Sequence, residues 1–168
     1  MAKTDSFFIR AGTAFNGTTF VQSSIDLGAY VDALGKSVLR IHNIAVQWGP
    51  PTDSIVPPAA GSSVNAFQLT TQSQSAMVDI TDKSLIASGR LSGLAGNAGV
   101  TTPTVNTDLD VAPQHWTNGY LVGVEQIYLA VDSNVSGAQD ISDCFVMLEC
   151  TVETLSQNAA MALALSQQ

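Results

Sequence analysis

The chain has 168 residues, with 14 acidic and 6 basic side chains and a formal net charge of −8. Only 12% of its residues are charged, against roughly 25% in an ordinary soluble domain, and Ser, Thr, Asn, Gln and Gly take their place. Six scattered basic residues exclude the clustered positive surface of a nucleic-acid-binding domain, and 45% hydrophobic residues exclude a disordered chain.

The N-terminal third predicts short β-strands separated by turns. Residues 6–10 form a short apolar run, and residues 18–27 are rich in Thr, Phe, Val and Ile. Residues 26–35 begin with an acidic residue and end with a glycine, which predicts a turn or a single helical turn. Residues 1–8 contain one basic residue and no long apolar run, so they do not match a secretory signal.

Residues 37–48 predict the clearest strand. In a regular strand, odd and even positions face opposite sides of the sheet. Leu39 and Ile41 are apolar at odd positions and Ile44 is apolar at an even one, so the apolar face changes near His42. One extra residue in a strand reverses the parity of every residue after it, so the pattern predicts a β-bulge at this position. The sequence Gly-Pro-Pro at 49–51 ends the strand.

The middle of the chain predicts further strands with one long loop. Residues 64–71 and 76–80 predict strands, and residues 82–86 predict a helical turn. Four glycines between 88 and 100 predict a mobile loop there. Residues 101–113 have strand and turn character without a clear period.

The C-terminal third predicts three strong strands and then a helix. The strands cover 120–124, 126–131 and 143–155, and the last is apolar on both faces, which predicts a central, buried strand. Residues 157–165 are rich in Ala, Met and Leu and favour a helix.

About eight to ten strands with no alternation of strand and helix predict an all-β, two-sheet antiparallel sandwich. A single jelly roll fits this count best, and an immunoglobulin-like sandwich is the alternative. The expected organisation is one β-sandwich domain over 1–168, in which 1–16 is a candidate N-terminal arm and 156–168 a helical tail.

The inventory of reactive residues predicts no enzyme, no cofactor and no metal site. Cys144 and Cys150 lie in one strand, roughly 20 Å apart, and are expected to be buried free thiols of a protein made in a reducing cell. Two histidines, His42 and His115, supply no zinc or catalytic cluster, which leaves a cupin-like enzyme as the weakest alternative. Loop aspartates such as Asp108 and Asp110 leave divalent-cation binding open.

Two apolar terminal segments predict subunit contacts. A short helix with so many apolar residues is not stable alone in water, so it must bury against its own sandwich or a partner. The expected interface residues are Phe7, Phe8, Ile9, Met161, Leu163 and Leu165. A further surface contact is expected at His115, Trp116 and Tyr120.

The chain resembles the single jelly-roll major capsid proteins of tailless icosahedral DNA viruses that infect archaea or bacteria. The resemblance lies in residues 25–31 leading into 38–41, and in the closing pair 127–131 and 145–148. It implies capsomers in a closed shell, made of copies of this chain and other capsid proteins, often over an internal membrane. Only Lys3 and Arg10 are basic near the N-terminus, so direct contact with the genome is not expected.

The function predicted from these features is that of a structural capsid subunit. It would self-assemble through its sandwich edges and apolar termini, would reside in the virion and would be made in the host cytoplasm. The alternative is a carbohydrate- or receptor-binding sandwich, such as a phage tail or decoration protein, that uses Trp116 and Tyr120 as its platform.

Overall fold

The computed structural model describes residues 4–32, 36–52, 61–95, 104–134 and 142–167, and these form nine strands and one α-helix. In chain order the elements are β1 (Phe7–Ala14), β2 (Val21–Asp26), β3 (Ser37–Trp48), β4 (Gly61–Thr70), β5 (Leu85–Ala95), β6 (Thr104–Val111), β7 (Tyr120–Val122), β8 (Gln126–Ser133), β9 (Asp143–Thr154) and α1 (Gln157–Ser166). A 3₁₀ turn, Pro113–His115, precedes β7.

The strands form a jelly roll. One sheet has the order β1-β9-β3-β7 and the other the order β2-β8-β4-β5-β6, and every pairing is antiparallel. Pairing proceeds inward from both ends of the chain, β1 with β9, β2 with β8, β3 with β7 and β4 with β5, while β6 adds an outer strand. A two-stranded ribbon rolled up in this way is the jelly-roll arrangement, which confirms the predicted fold class.

The predicted bulge lies in β3. The pairing of β3 with β9 shifts between Ile41 and Asn43, so His42 is the extra residue. Because the bulge reverses the parity of the strand, Leu39, Ile41 and Ile44 are all buried in the same core. The core between the two sheets also contains Phe67, whose ring meets the indole of Trp48 edge to face at 5.9 Å.

Two predictions for the middle of the chain were wrong. Residues 85–95 form β5, whereas a loop was predicted from residue 88. Gly89 is required there, because a Cβ atom would lie 2.6 Å from the Asp108 carbonyl and 2.7 Å from the Phe67 ring. Residues 76–80 form no strand and belong to a loop, and residues 96–100 lie outside the described part.

The two terminal segments are attached to the sandwich. Residues 7–14 of the candidate arm form β1, which pairs with β9 over its whole length. Ser156 caps the N-terminus of helix α1, because its hydroxyl accepts a hydrogen bond from the Ala159 amide at 3.3 Å. The helix buries Ala160 and Ala164. The tail is therefore helical, as predicted.

Glutamine side chains hold several of the connections in place. Gln68 accepts a hydrogen bond from the Val78 amide at 2.7 Å and donates one to the Ala76 carbonyl at 3.1 Å. Gln22 likewise accepts from the Gln74 amide at 2.9 Å and donates to the Ser73 hydroxyl at 2.8 Å. Each glutamine side chain thus accepts from one loop group and donates to another without carrying a charge. Neutral amides therefore hold these loops, which is one structural use of the many uncharged polar residues in the chain.

Candidate functional site

An open groove lies on the outer face of the four-stranded sheet. Its cavity volume is about 760 Å³. Two cross-strand rows from β1, β9 and β3 form it, each with a large side chain in the centre and a small residue beside it. The rows are Gly12–Phe145–Gln47 and Arg10–Met147–Ala45.

The small residues explain the concave shape of the groove. Gly12 lies directly opposite Phe145, and a Cβ atom on it would come within 2.6 Å of that ring. Ala45 lies opposite Met147 and fills little of the space beside it. A larger residue at either position would fill the groove, so the cavity depends on two residues without functional groups.

The groove corrects the prediction that β9 is buried on both faces. β9 is central in its sheet, as expected, but Phe145 is 38% exposed and Met147 36% exposed. Only the alternate residues, such as Val146 and Leu148, face the core. The second apolar face of β9 is therefore a surface feature.

Polar side chains occupy the other half of the same sheet face. Arg40 donates two hydrogen bonds to the Glu153 carboxylate, at 2.7 and 2.8 Å, and a third to the carbonyl of Asn118. The Glu153 contacts raise the pKa of the Arg40 guanidinium, so it stays charged. His42 and Thr151 lie 3.0 Å apart, Nε2 to Oγ1, within hydrogen-bond distance.

The segment before β7 is attached to this polar half. β7 pairs with β3 only as far as Ile41. Beyond it, Gln114 accepts from the Ile44 amide and donates to the Ile44 carbonyl, both at 3.1 Å. Gly119, at φ +61°, then returns the chain so close to the Ile41 carbonyl that a Cβ atom would lie 2.2 Å from it. The polar half is thus covered, while the groove is open.

The predicted N-terminal interface residues divide between the two faces of β1. Phe7 and Ile9 pack against the core, and Phe7 also stacks on Tyr30 with ring centroids 4.8 Å apart. Phe8 is 51% exposed on the outer face, beside the groove, and the Arg10 guanidinium lies 5.9 Å from its ring centroid. Of the three, Phe8 alone faces outward.

The predicted C-terminal interface residues divide in the same way. Leu163 packs on the turn after β7, where a Cβ atom on Gly123 would lie 3.0 Å from the leucine Cγ. Met161 and Leu165 point outward, 43% and 67% exposed. They are four residues apart and therefore share one face of the helix.

A buried glutamine fixes the helix to the sandwich. The Gln167 side chain accepts from the Gly123 amide at 2.8 Å and donates to the Leu121 carbonyl at 2.7 Å, as a paired strand would. Its backbone carbonyl accepts from the Thr71 hydroxyl at 3.0 Å and from the Gln72 side chain at 3.2 Å. The end of the helix is therefore held by β7 with the turn after it, and by the segment that follows β4.

The structure places the remaining predicted contact residues on one connection. His115 ends the 3₁₀ turn and is exposed, and Trp116 follows with half of its surface exposed. Tyr120 begins β7 and is half-buried, and this burial raises the pKa of its hydroxyl. His115 and Trp116 thus face solvent, whereas Tyr120 packs against the core.

The described residues include two cysteines and no cluster of metal-ligating side chains. Among them, no group of three or more His, Cys, Asp or Glu side chains could hold a metal ion. Cys144 and Cys150 are free and buried, as predicted, and burial raises the pKa of each thiol to about 12. Neither thiol therefore forms a nucleophilic thiolate at neutral pH. In the part of the chain described, no helix is long and apolar enough to cross a membrane.

Sequence reasoning missed most of the groove. Phe145 and Met147 were assigned to the core, Gly12 was interpreted only as the end of the first apolar run, and Ala45 and Gln47 were assigned no role. The groove depends on which residues stand side by side on β1, β9 and β3. That register joins segments more than 90 residues apart, and no local pattern in one sequence carries it.

No protein-family model matches the chain, and a search of curated proteins finds no match. Among solved structures, VP1 of Trichodysplasia spinulosa-associated polyomavirus, in complex with sialylated precision glycooligomers, is similar in fold. The TM-score is 0.53 at 7% sequence identity, and the match covers 89% of this chain and 95% of that chain.

Two further solved structures show weaker likeness. One is the unassembled VP1 pentamer of Washington University polyomavirus, with TM-score 0.46, 8% identity, and 89% of this chain and 93% of that chain covered. The other is Desmodium yellow mottle tymovirus, with TM-score 0.38, 12% identity, and 91% and 87% covered. Of the three, only the first exceeds a TM-score of 0.5, and it establishes a shared fold.

Proposed function

We propose that this protein is a structural subunit of a viral capsid. The observation that carries the proposal is the presence of two exposed apolar surfaces on a jelly roll, the open groove on its outer face and a helix with exposed Met161 and Leu165. Apolar side chains exposed together on a surface otherwise rich in polar groups are typical of a protein–protein contact. The shared fold with a polyomavirus VP1 supports this role by analogy.

The finer parts of the proposal come from the sequence. We assign the protein to a tailless icosahedral DNA virus of an archaeon or bacterium, on the resemblance of its strand pattern. We place it in the virion, after synthesis in the host cytoplasm, in contact with copies of itself, with other capsid proteins and with an internal membrane. With a net charge of −8, a direct contact with nucleic acid is unfavourable.

The test is the mass of the purified protein at neutral pH, measured by light scattering after size-exclusion chromatography and followed by negative-stain imaging. We expect rings, sheets or shells well above the monomer mass of 17.5 kDa. A monomer that persists at high protein concentration would contradict the proposal. Lipid analysis of purified virions tests the internal membrane separately.

One observation favours a second function, glycan binding. Trp116 is exposed on the connection before β7, and within the described residues its ring stacks on no other aromatic ring. An exposed indole is a suitable platform for a sugar ring. A glycan array tests this function, with binding expected to be lost on Trp116→Ala and retained on His115→Ala.

A further inference from the structure

The described surface carries two groups of exposed large apolar side chains, and they differ in shape. The first group comprises Phe145 and Met147, which line the concave groove, and Phe8, which lies beside it. The second group, Met161 and Leu165, forms a convex ridge on α1. Two concave grooves placed face to face would leave an unfilled space between them, whereas a ridge can fill a groove.

We propose that the Met161–Leu165 ridge of one copy docks into the groove of a second copy. This inference rests on the proposed capsid function and names the contact through which copies join. An amphipathic helix that places residues i and i+4 in an apolar groove is a common mode of protein recognition. A subunit with one groove and one ridge then makes the same contact twice, once with each neighbour.

The charges of the two surfaces are complementary. Helix α1 contains no charged residue, and among the described residues that line the groove Arg10 alone is charged. The carbonyl groups in the last turn of a helix carry partial negative charge, and Leu165 lies in that turn. A docked helix end would therefore meet the guanidinium of Arg10, while the nearby Glu149, opposite Phe8 on the same face, already accepts a hydrogen bond from Asn43 at 2.6 Å.

The positions of the two surfaces prevent contact within one molecule. The groove extends over β1, β9 and β3, while α1 is held beside β7, at the opposite edge of the same sheet. The buried face of α1, with Ala160 and Ala164, already packs on its own sandwich, so the ridge points away from it. Contacts from opposite edges join subunits head to tail, in a ring if the rotation closes and in an open array otherwise.

The experiment uses one variant on each surface, Met147→Glu in the groove and Leu165→Lys on the ridge. Both side chains are exposed, and a lysine near the end of a helix is compatible with its dipole, so both variants should fold. Circular dichroism and thermal unfolding check that they do. Ile80→Lys is the matched control, because Ile80 is 69% exposed and lies outside both surfaces.

We expect each surface variant to weaken self-association at least about thirtyfold, as loss of a central anchor does, and the control to associate like the wild type. Mixing the two variants is the decisive step. Each retains the surface that the other has lost, so the mixture should form a one-to-one dimer of twice the 17.5 kDa monomer mass.

The outcomes separate this inference from the proposed function. A wild-type protein that does not associate contradicts the capsid proposal and the inference together. If the wild type associates and Leu165→Lys associates equally well, the capsid proposal survives and the helix-in-groove contact is wrong. If both variants are monomeric and their mixture forms no dimer, the two surfaces do not meet each other, and the inference is again wrong.

Discussion

Replacement of Gln167 by alanine tests whether a neutral amide holds the end of the helix. The side chain accepts a hydrogen bond from the Gly123 amide at 2.8 Å and donates one to the Leu121 carbonyl at 2.7 Å. Gly123 is buried, so its N–H would lose its partner away from water, while the half-buried Leu121 carbonyl is closer to solvent. An unsatisfied buried group costs about 1–3 kcal/mol, so Gln167→Ala should lower the free energy of unfolding by about 2–4 kcal/mol.

Urea and thermal unfolding measure this loss. For a domain of this size, it corresponds to a decrease in Tm of about 5–15 °C. Gln167→Met, which keeps the length of the side chain but not its hydrogen bonds, should be destabilised to a similar degree. Gln157→Ala, at the exposed start of the same helix, should stay within about 0.5 kcal/mol of the wild type. A Gln167→Ala variant as stable as that control would refute the reasoning.

Gly12→Ala and Gly89→Ala each place a Cβ atom 2.6 Å from a neighbouring atom. Gly89→Ala should lower the free energy of unfolding by about 1–3 kcal/mol, and Gly12→Ala should lower it much less. The exposed Phe145 ring beside Gly12 can move away, whereas the backbone and buried ring beside Gly89 cannot. Glu153→Gln leaves the partly buried Arg40 without its ion pair, so the free energy of unfolding should fall by about 2–4 kcal/mol. Urea unfolding measures this loss, and an unchanged urea midpoint would contradict it. Burial raises the pKa of the two thiols from 9.0 to about 12. Below pH 9 both thiols are protonated in the folded and the unfolded state, so their full contribution to the free energy of unfolding is present there. Stability should therefore fall as pH rises from about 9 to 12, and a thiol reagent should label both cysteines only after unfolding.

The sequence was most informative where a local rule is strict. Strand side chains alternate, so the change of apolar parity around His42 located the bulge, and the structure confirms it between Ile41 and Asn43. The jelly roll followed from the number of strands and the absence of alternating helices. Both conclusions depend on patterns within short segments, which a single sequence contains.

The sequence was misleading where a residue type has two uses. The glycines in β5 predicted a loop, but Gly89 is there because the Phe67 ring and the β6 backbone come too close for a side chain. Phe145 and Met147 predicted a buried face, but they line an open groove. In each case the deciding neighbour belongs to a distant segment, so local propensity could not decide.

The glutamine contacts had no signal in the sequence at all. Gln114 and Gln167 each accept from a backbone amide and donate to a backbone carbonyl beside a short edge strand. A glutamine that only faces solvent has the same local surroundings in the sequence. What distinguishes these two is the position of β7, a strand of three residues that leaves part of its neighbours unpaired.

The shortage of charge and the two apolar surfaces have a common physical basis. Copies that each carry a net charge of −8 repel one another in solution, and this repulsion opposes assembly unless contacts form where acidic residues are absent. Among the described residues, neither the lining of the groove nor α1 contains an acidic side chain, and Gln114 and Gln167 hold the neighbouring segments through neutral hydrogen bonds. The proposed contact between these surfaces therefore buries no carboxylate from the groove lining or from α1, and the desolvation of such a group would oppose assembly. Salt screens the remaining repulsion while it leaves the neutral hydrogen bonds unchanged, so we expect higher ionic strength to favour the proposed assembly over separate subunits.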